Sequence, residues 1–171
     1  MKILNTRQFN EKLNIQPVTK ERLNSLMLPV TVNGVTWSSR NYNKTDGLVK
    51  GEDYFVYDNE VFYSFDAAKR ITPKGWHIPH GHDVNVVRQL TDNPTDLISK
   101  DNGGYDKYGL NFKLCGEVYV GENIVNGTRF SFWCDIDGVP YIFNGEKRVD
   151  TLYLESIDKS KYFLNLRFVK D

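Results

Sequence analysis

Residues 28–39 read LPVTVNGVTWSS, with apolar and polar side chains alternating on both sides of Asn33-Gly34. A two-residue loop between antiparallel strands requires positive φ at both positions, which Asn and Gly tolerate. The period-2 pattern on either side is that of half-buried strands, so the segment predicts a hairpin. The same grammar recurs along the chain. YFVYDNEVFYS offers two short aromatic strands around Asp58-Asn59, and LNFKLCGEVYV, TRFSFWCDI, VPYIFN, VDTLYLES and YFLNLRFVKD follow beyond residue 104. Asn126-Gly127, Asp137-Gly138 and Asn144-Gly145 mark turns between several of these. Beyond residue 30, helical patterning is confined to two places. FDAAKR, Phe65 to Arg70, is stopped before Pro73. A second helix begins near Gly81 or His82 and runs through DVNVVRQL, with Val84, Val87 and Leu90 on one face. Residues 92–104, rich in Asp, Asn, Gly and Pro, predict a loop. The expected fold is an α+β domain over residues 31–171, with mostly antiparallel short strands and two short helices. Strands from its two ends are expected to meet in one sheet. A chain of 171 residues has room for one filled core, or one core plus an appendage.

Residues 1–30 differ in character. Asn5 or Thr6 can cap a short helix that puts Phe9 and Leu13 on one face. Pro17 breaks it, and Thr19 can cap a second piece, KERLNSL, with Leu23 and Leu26 as its apolar stripe. Two short amphipathic pieces bury little by themselves. They read as an arm that docks on a neighbour through Ile3, Leu4, Phe9, Leu13, Ile15 and Pro17; a strap across the chain's own domain is the alternative.

Twenty-two basic residues balance twenty-two acidic ones, which leaves no electrostatic footprint for nucleic acid or an anionic membrane. No stretch approaches the roughly 18 apolar residues of a membrane span. MKILNTRQFNEKL has no apolar h-region and no small-residue cleavage site, so synthesis in the cytoplasm without a secretory signal is expected. Cys115 and Cys134, both in segments that read as strands, are expected to be reduced, buried thiols; a disulfide between them is the alternative.

Candidate chemistry is sparse. HIPHGH gathers His77, His80 and His82, but Pro79 and Gly81 make the backbone irregular and no neighbouring Cys or Glu completes a ligand set. The expectation is a core His77 with His80 and His82 facing solvent, and no metal. Asp135, Asp137 and Gly138 echo a calcium loop, yet a strand-like PYIF follows where further oxygen ligands belong, so a hairpin turn is expected. Neither G-x-S-x-G nor H-E-x-x-H is present, and the chain reads as non-enzymatic with no cofactor. The candidate binding residues are loop aromatics expected to be exposed: Tyr105 and Tyr108 in NGGYDKYG, with Tyr42 and Tyr54. Covering local apolar surface is the competing role for each.

Several segments together resemble the Fibrobacter succinogenes major paralogous domain, a C-type-lectin-like family. Gly34-Val35-Thr36-Trp37-Ser38-Ser39-Arg40-Asn41-Tyr42 is similar to its opening G-x-x-W-x-x-x-N-L strand. Phe62 to Lys69 matches its aromatic strand and Ala-Ala-Lys helix, and Pro73-Lys74-Gly75-Trp76-His77-Ile78-Pro79 matches C-P-x-G-W-H-L-P after its Cys. Gly109-Leu110-Asn111-Phe112 resembles G-F-N-A, Phe132-Trp133 resembles F-W-S-S, and Leu166 to Asp171 resembles V-R-C-V-K-D. Order and spacing agree over residues 32–171. The resemblance implies a C-type-lectin-like domain in which Trp37, Trp76, Trp133 and His77 belong to the core. The family's two cysteines fall at Thr72 and Phe168, so its disulfide is missing, which fits folding in a reducing compartment. Its calcium motifs are missing too.

Residues 2–19 of the arm resemble leading segments of virion proteins of crAss-like and related Bacteroidetes phages. Together the two resemblances imply a phage virion structural protein, made in the host bacterial cytoplasm and anchored by its arm. It would decorate the capsid or head, or attach fibre or tail, with capsid, portal or tail components and a host-surface glycan or protein as partners. A carbohydrate-binding surface module of a Bacteroidetes- or Fibrobacter-type bacterium is the alternative.

Overall fold

A computed structural model describes residues 27–121, 127–147, 149 and 151–171. The arm residues Ile3, Leu4, Phe9, Leu13, Ile15 and Pro17, and Asn126 of one expected turn, lie outside them.

The first hairpin forms as the Asn-Gly pair requires. Strands β1 (Pro29–Val32) and β2 (Val35–Ser38) pair antiparallel, with Asn33 at φ 47° and Gly34 at φ 84°. A cross-strand Thr31–Thr36 hydroxyl bond of 2.8 Å sits on its exposed face. β3 (Tyr54–Tyr57) and β4 (Glu60–Tyr63) form the second hairpin around Asp58 and Asn59, both again at positive φ. Helix α1 (Phe65–Ile71) follows, capped by the Ser64 hydroxyl, which accepts from the Ala67 N–H. After β5 (Trp76–His77) comes α2 (Gly81–Leu90), burying Val84, Val86 and Val87. Both helices fall where the apolar spacing puts them.

The strands β6 (Glu117–Tyr119), β7 (Arg129–Ile136), β8 (Val139–Glu146), β9 (Leu152–Ser156), β10 (Tyr162–Leu164) and β11 (Val169–Lys170) complete the fold. They assemble into three sheets: β1-β2-β11-β5, β3-β4-β10-β6 and β7-β8-β9. Every strand pairing in these sheets is antiparallel. The domain is α+β, and its two ends do meet: Val169 of β11 lies opposite Trp37 of β2 and His77 of β5.

Two expectations are corrected. Asn144-Gly145 is no turn; β8 runs straight through it, with Asn144 opposite Ser131 and Gly145 opposite Phe130. Glycine is needed there for room, because a Cβ would come within 2.7 Å of the Phe130 ring and 2.9 Å of Leu152. Cys115 sits in irregular chain before β6 rather than in a strand. The 92–104 loop holds as a loop, tightened by two single 3₁₀ turns at Pro94–Asp96 and Lys100–Asn102.

Two large apolar clusters fill the interior. One gathers Trp37, Phe112, Phe130, Phe132 and Phe143 with Val84 and Val87 of α2. The other packs Phe65 and Ala68 of α1 against Trp76, Trp133, Leu166 and Phe168. All three tryptophans are buried, as expected, and the Trp133 indole donates to the Tyr63 carbonyl at 2.7 Å. No helix among the described residues is long and apolar enough to cross a membrane.

Candidate functional site

Arg167 ties the chain just after β2 and the 110–111 segment to the end of the domain. It is 1% exposed, and its fork is spent on oxygens. Nε donates to Asn41 Oδ1 at 2.8 Å, Nη1 to the carbonyls of Ser38 and Leu110 at 2.9 Å each, and Nη2 to that of Asn111 at 2.7 Å. The guanidinium also lies over the Phe112 ring, 5.2 Å from its centre. Burial pushes its pKa down to about 10, which leaves it charged at neutral pH. One side chain near the closing strand thus ties β2, the 110–111 segment and the loop at Asn41 together.

Asn41 passes that order outward. Its Nδ2 donates to Glu60 Oε2 at 2.9 Å, and Glu60 Oε1 accepts from Lys113 Nζ at 2.7 Å. Glu60 and Lys113 stand in the wall of a cleft of roughly 430 Å³ between the β3–β4 hairpin and the 101–115 segment. Its floor is apolar, with Phe62, Leu114 and Cys115, and its rim is polar, with Tyr57, Asp58, Asp101 and Asn102. Tyr57 is 58% exposed at the hairpin tip. Asn102 is fixed because its Oδ1 accepts from the Ser99 hydroxyl and the Leu114 N–H. An aromatic face beside carboxylates, an amide and an ammonium can stack on and hydrogen-bond a polar ring or a peptide.

The four expected binding tyrosines are not brought together. Tyr42 is half-buried edge-on against Phe168 at 5.2 Å, and burial raises its pKa. Tyr54 packs against the same cluster from β3. Tyr108 donates to the Leu90 carbonyl at 2.9 Å and covers the other core. Only Tyr105 of the four presents its ring to solvent, 60% exposed, with Lys107 Nζ 5.6 Å from its centre. The other three are each partly buried against one of the two cores. Sequence reasoning missed Tyr57, Glu60, Asp101, Asn102 and Lys113, and the readable signal was the aromatic immediately before the Asp58-Asn59 turn.

The histidine segment differs from its expectation in one respect. His77 is partly buried, and His80 and His82 are exposed, close to the expected division. Asp83, however, folds back as the third residue of α2, and its Oδ2 accepts from the His80 N–H at 2.8 Å. The same oxygen lies 3.0 Å from His77 Nε2, while Asp171 Oδ1 lies 2.8 Å from His77 Nδ1. Hydrogen bonding to Asp83 raises the His77 pKa above its ordinary value, with Asp171 adding to it against the effect of burial. The His80-to-Asp83 spacing is that of a capping box, which was the sequence signal for this contact.

Asp135 and Asp137 behave as a turn: Asp135 Oδ1 accepts from the Gly138 N–H at 2.8 Å and Asp137 takes φ 54°. Both cysteines are free thiols. Burial pushes Cys115 up to about 12 and Cys134 well above its ordinary value, so neither is an activated nucleophile. No family model, no curated protein and no solved structure matches the chain.

Proposed function

We propose that this chain is a non-enzymatic binding module of C-type-lectin-like build, displayed on a phage particle by its N-terminal arm. The cleft beside Tyr57 carries the reading. Its wall is held in place by the hydrogen bonds that run from Arg167 through Asn41 and Glu60 to Lys113. Recognition surfaces work when loops are pre-ordered by a rigid scaffold, because less entropy is lost on binding. Antiparallel pairing of the domain's first hairpin with its last strand supports the lectin-like part of the reading. The virion part rests on the resemblance of the arm. A carbohydrate-binding surface module of a bacterium would use the same cleft, and differs in where the protein is found.

The test has two arms. Purified full-length protein, free of other virion parts, is applied to a glycan array and to host-cell envelopes, beside Tyr57→Ala and Lys113→Ala. Retention by the parent and its loss in both variants, with unchanged melting, supports the binding role. Equal retention of all three overturns the cleft as the binding surface. Mass spectrometry of purified particles is the second arm: stoichiometric recovery supports display on a virion, and recovery only in a bacterial surface fraction overturns it.

A further inference from the structure

The geometry points to a second site, unrelated to the cleft: we propose that His77, His80 and Asp83 bind a divalent transition-metal ion of the zinc class, with Asp171 orienting His77. The ligating atoms of the three side chains all lie within 4.8 Å of one another. In a tetrahedral site with ligands about 2.0–2.2 Å from the ion, neighbouring donor atoms stand about 3.3 Å apart. The 3.0 Å between His77 Nε2 and Asp83 Oδ2 is already close to that edge.

Each ligand is placed by a different constraint. His77 closes β5 and is held in register opposite Val169 of the last strand. Asp83 is buried on the first turn of α2 and fixed by the His80 N–H. His80 supplies the adjustable part. Its ring is solvent-exposed and stacks on that of His77, with centres 4.4 Å apart and planes 23° from parallel. His80 is the ligand that must adjust to close the set, and its exposure on the surface leaves room for that.

The surroundings also match a metal centre. Asp171 engages His77 Nδ1 at 2.8 Å, the carboxylate–imidazole arrangement that fixes a ligating histidine's orientation and leaves Nε2 toward the ion. The ion takes the place of the proton between His77 Nε2 and Asp83. Two imidazoles and a carboxylate form a borderline donor set that suits zinc better than calcium or magnesium, which prefer all-oxygen cages. Three protein ligands leave a fourth position. Solvent or a donor from a bound partner would fill it, and His80 borders a shallow surface cleft with His82 and Asp135.

The test titrates chelator-treated full-length protein with Zn²⁺ alone by calorimetry, and follows melting in parallel. One saturable equivalent per chain at micromolar zinc and a raised melting temperature are expected. His80→Ala should weaken binding at least tenfold, and because His80 also caps α2 the metal-free melting of this variant is read alongside to separate lost capping from lost ligation. Asp171→Asn, acting only through His77, should weaken it roughly tenfold. His82→Ala, an exposed neighbour outside the set, should leave binding intact. Absence of saturable binding overturns the proposal. So does equal dependence on His82 and His80, which marks adventitious capture by surface imidazoles. Asp83→Asn serves as a second ligand variant; full zinc affinity in a folded Asp83→Asn protein also overturns it.

Discussion

Arg167 Nε and Asn41 Oδ1 lie 2.8 Å apart, although 126 residues separate them. This contact is the hinge of the fold's long-range order, because Asn41 spends its other polar atom on Glu60 in the cleft wall. Replacing Arg167 with Ala strands the buried carbonyls of Ser38 and Leu110, each costing about 1–3 kcal/mol when unsatisfied, and frees the partly exposed one of Asn111. A total loss of about 3–5 kcal/mol is expected, read from denaturant midpoints. Arg167→Lys should recover only part, since a single ammonium cannot reproduce the planar fork.

Gly145→Ala tests whether glycine is there for room rather than for a turn. The new methyl would meet the Phe130 ring at 2.7–2.8 Å and Leu152 at 2.9 Å. Overpacking of this kind costs about 1–3 kcal/mol. A neutral or stabilising result in thermal melts would mean that β8 does not run as described.

The tyrosines should separate by role. Tyr42→Ala removes a ring packed on Phe168 and Tyr63, and a loss of about 2–4 kcal/mol is expected. Tyr105→Ala, at an exposed position, should stay within about 0.5 kcal/mol of the parent. Chemical denaturation of the two variants side by side checks the contrast.

Acid should destabilise the protein through identifiable carboxylates. The Lys107 ammonium beside Asp96 holds that carboxyl below its usual range, helped by the Thr91 hydroxyl. The Val49 N–H and the Arg70 guanidinium do the same for Asp53. A carboxyl whose folded pKa is depressed contributes stability above its unfolded pKa, about 3.9, and loses it as pH falls through the folded value. Melting temperature should therefore drop as pH is lowered below about 4. In Asp96→Asn that drop should be shallower; an identical pH profile would remove Asp96 from the account.

Both thiols should resist alkylation in the native state. With Cys115 pushed up to about 12 and Cys134 higher than usual, thiolate is scarce at neutral pH. Iodoacetamide labelling followed by mass spectrometry should be slow for the folded protein and rapid in denaturant. Fast labelling of Cys115 alone would show that the cleft floor opens to solvent.

The local sequence determined most of the elements. Asn33-Gly34, Asp58-Asn59 and Asp137-Gly138 made hairpins because those residues adopt positive φ cheaply, and that preference needs no tertiary help. The apolar face of α2 and the span of α1 were legible for the same reason: helical spacing and helix stops act within a few residues. Asn144-Gly145 misled because the pair is identical to a turn signal, while its role depends on Phe130 and Leu152, which are distant in sequence and touch it only across paired strands. Tyr42, Tyr54 and Tyr108 looked like loop aromatics, and only packing decided that they face the cores. The cleft wall and the His77–Asp83–Asp171 cluster are products of tertiary structure. They join residues up to 94 positions apart, where a sequence carries no local energetic preference: pairing of β11 with β5 brings Asp171 to His77, and packing of the 101–115 segment on the β3–β4 hairpin brings Lys113 to Glu60.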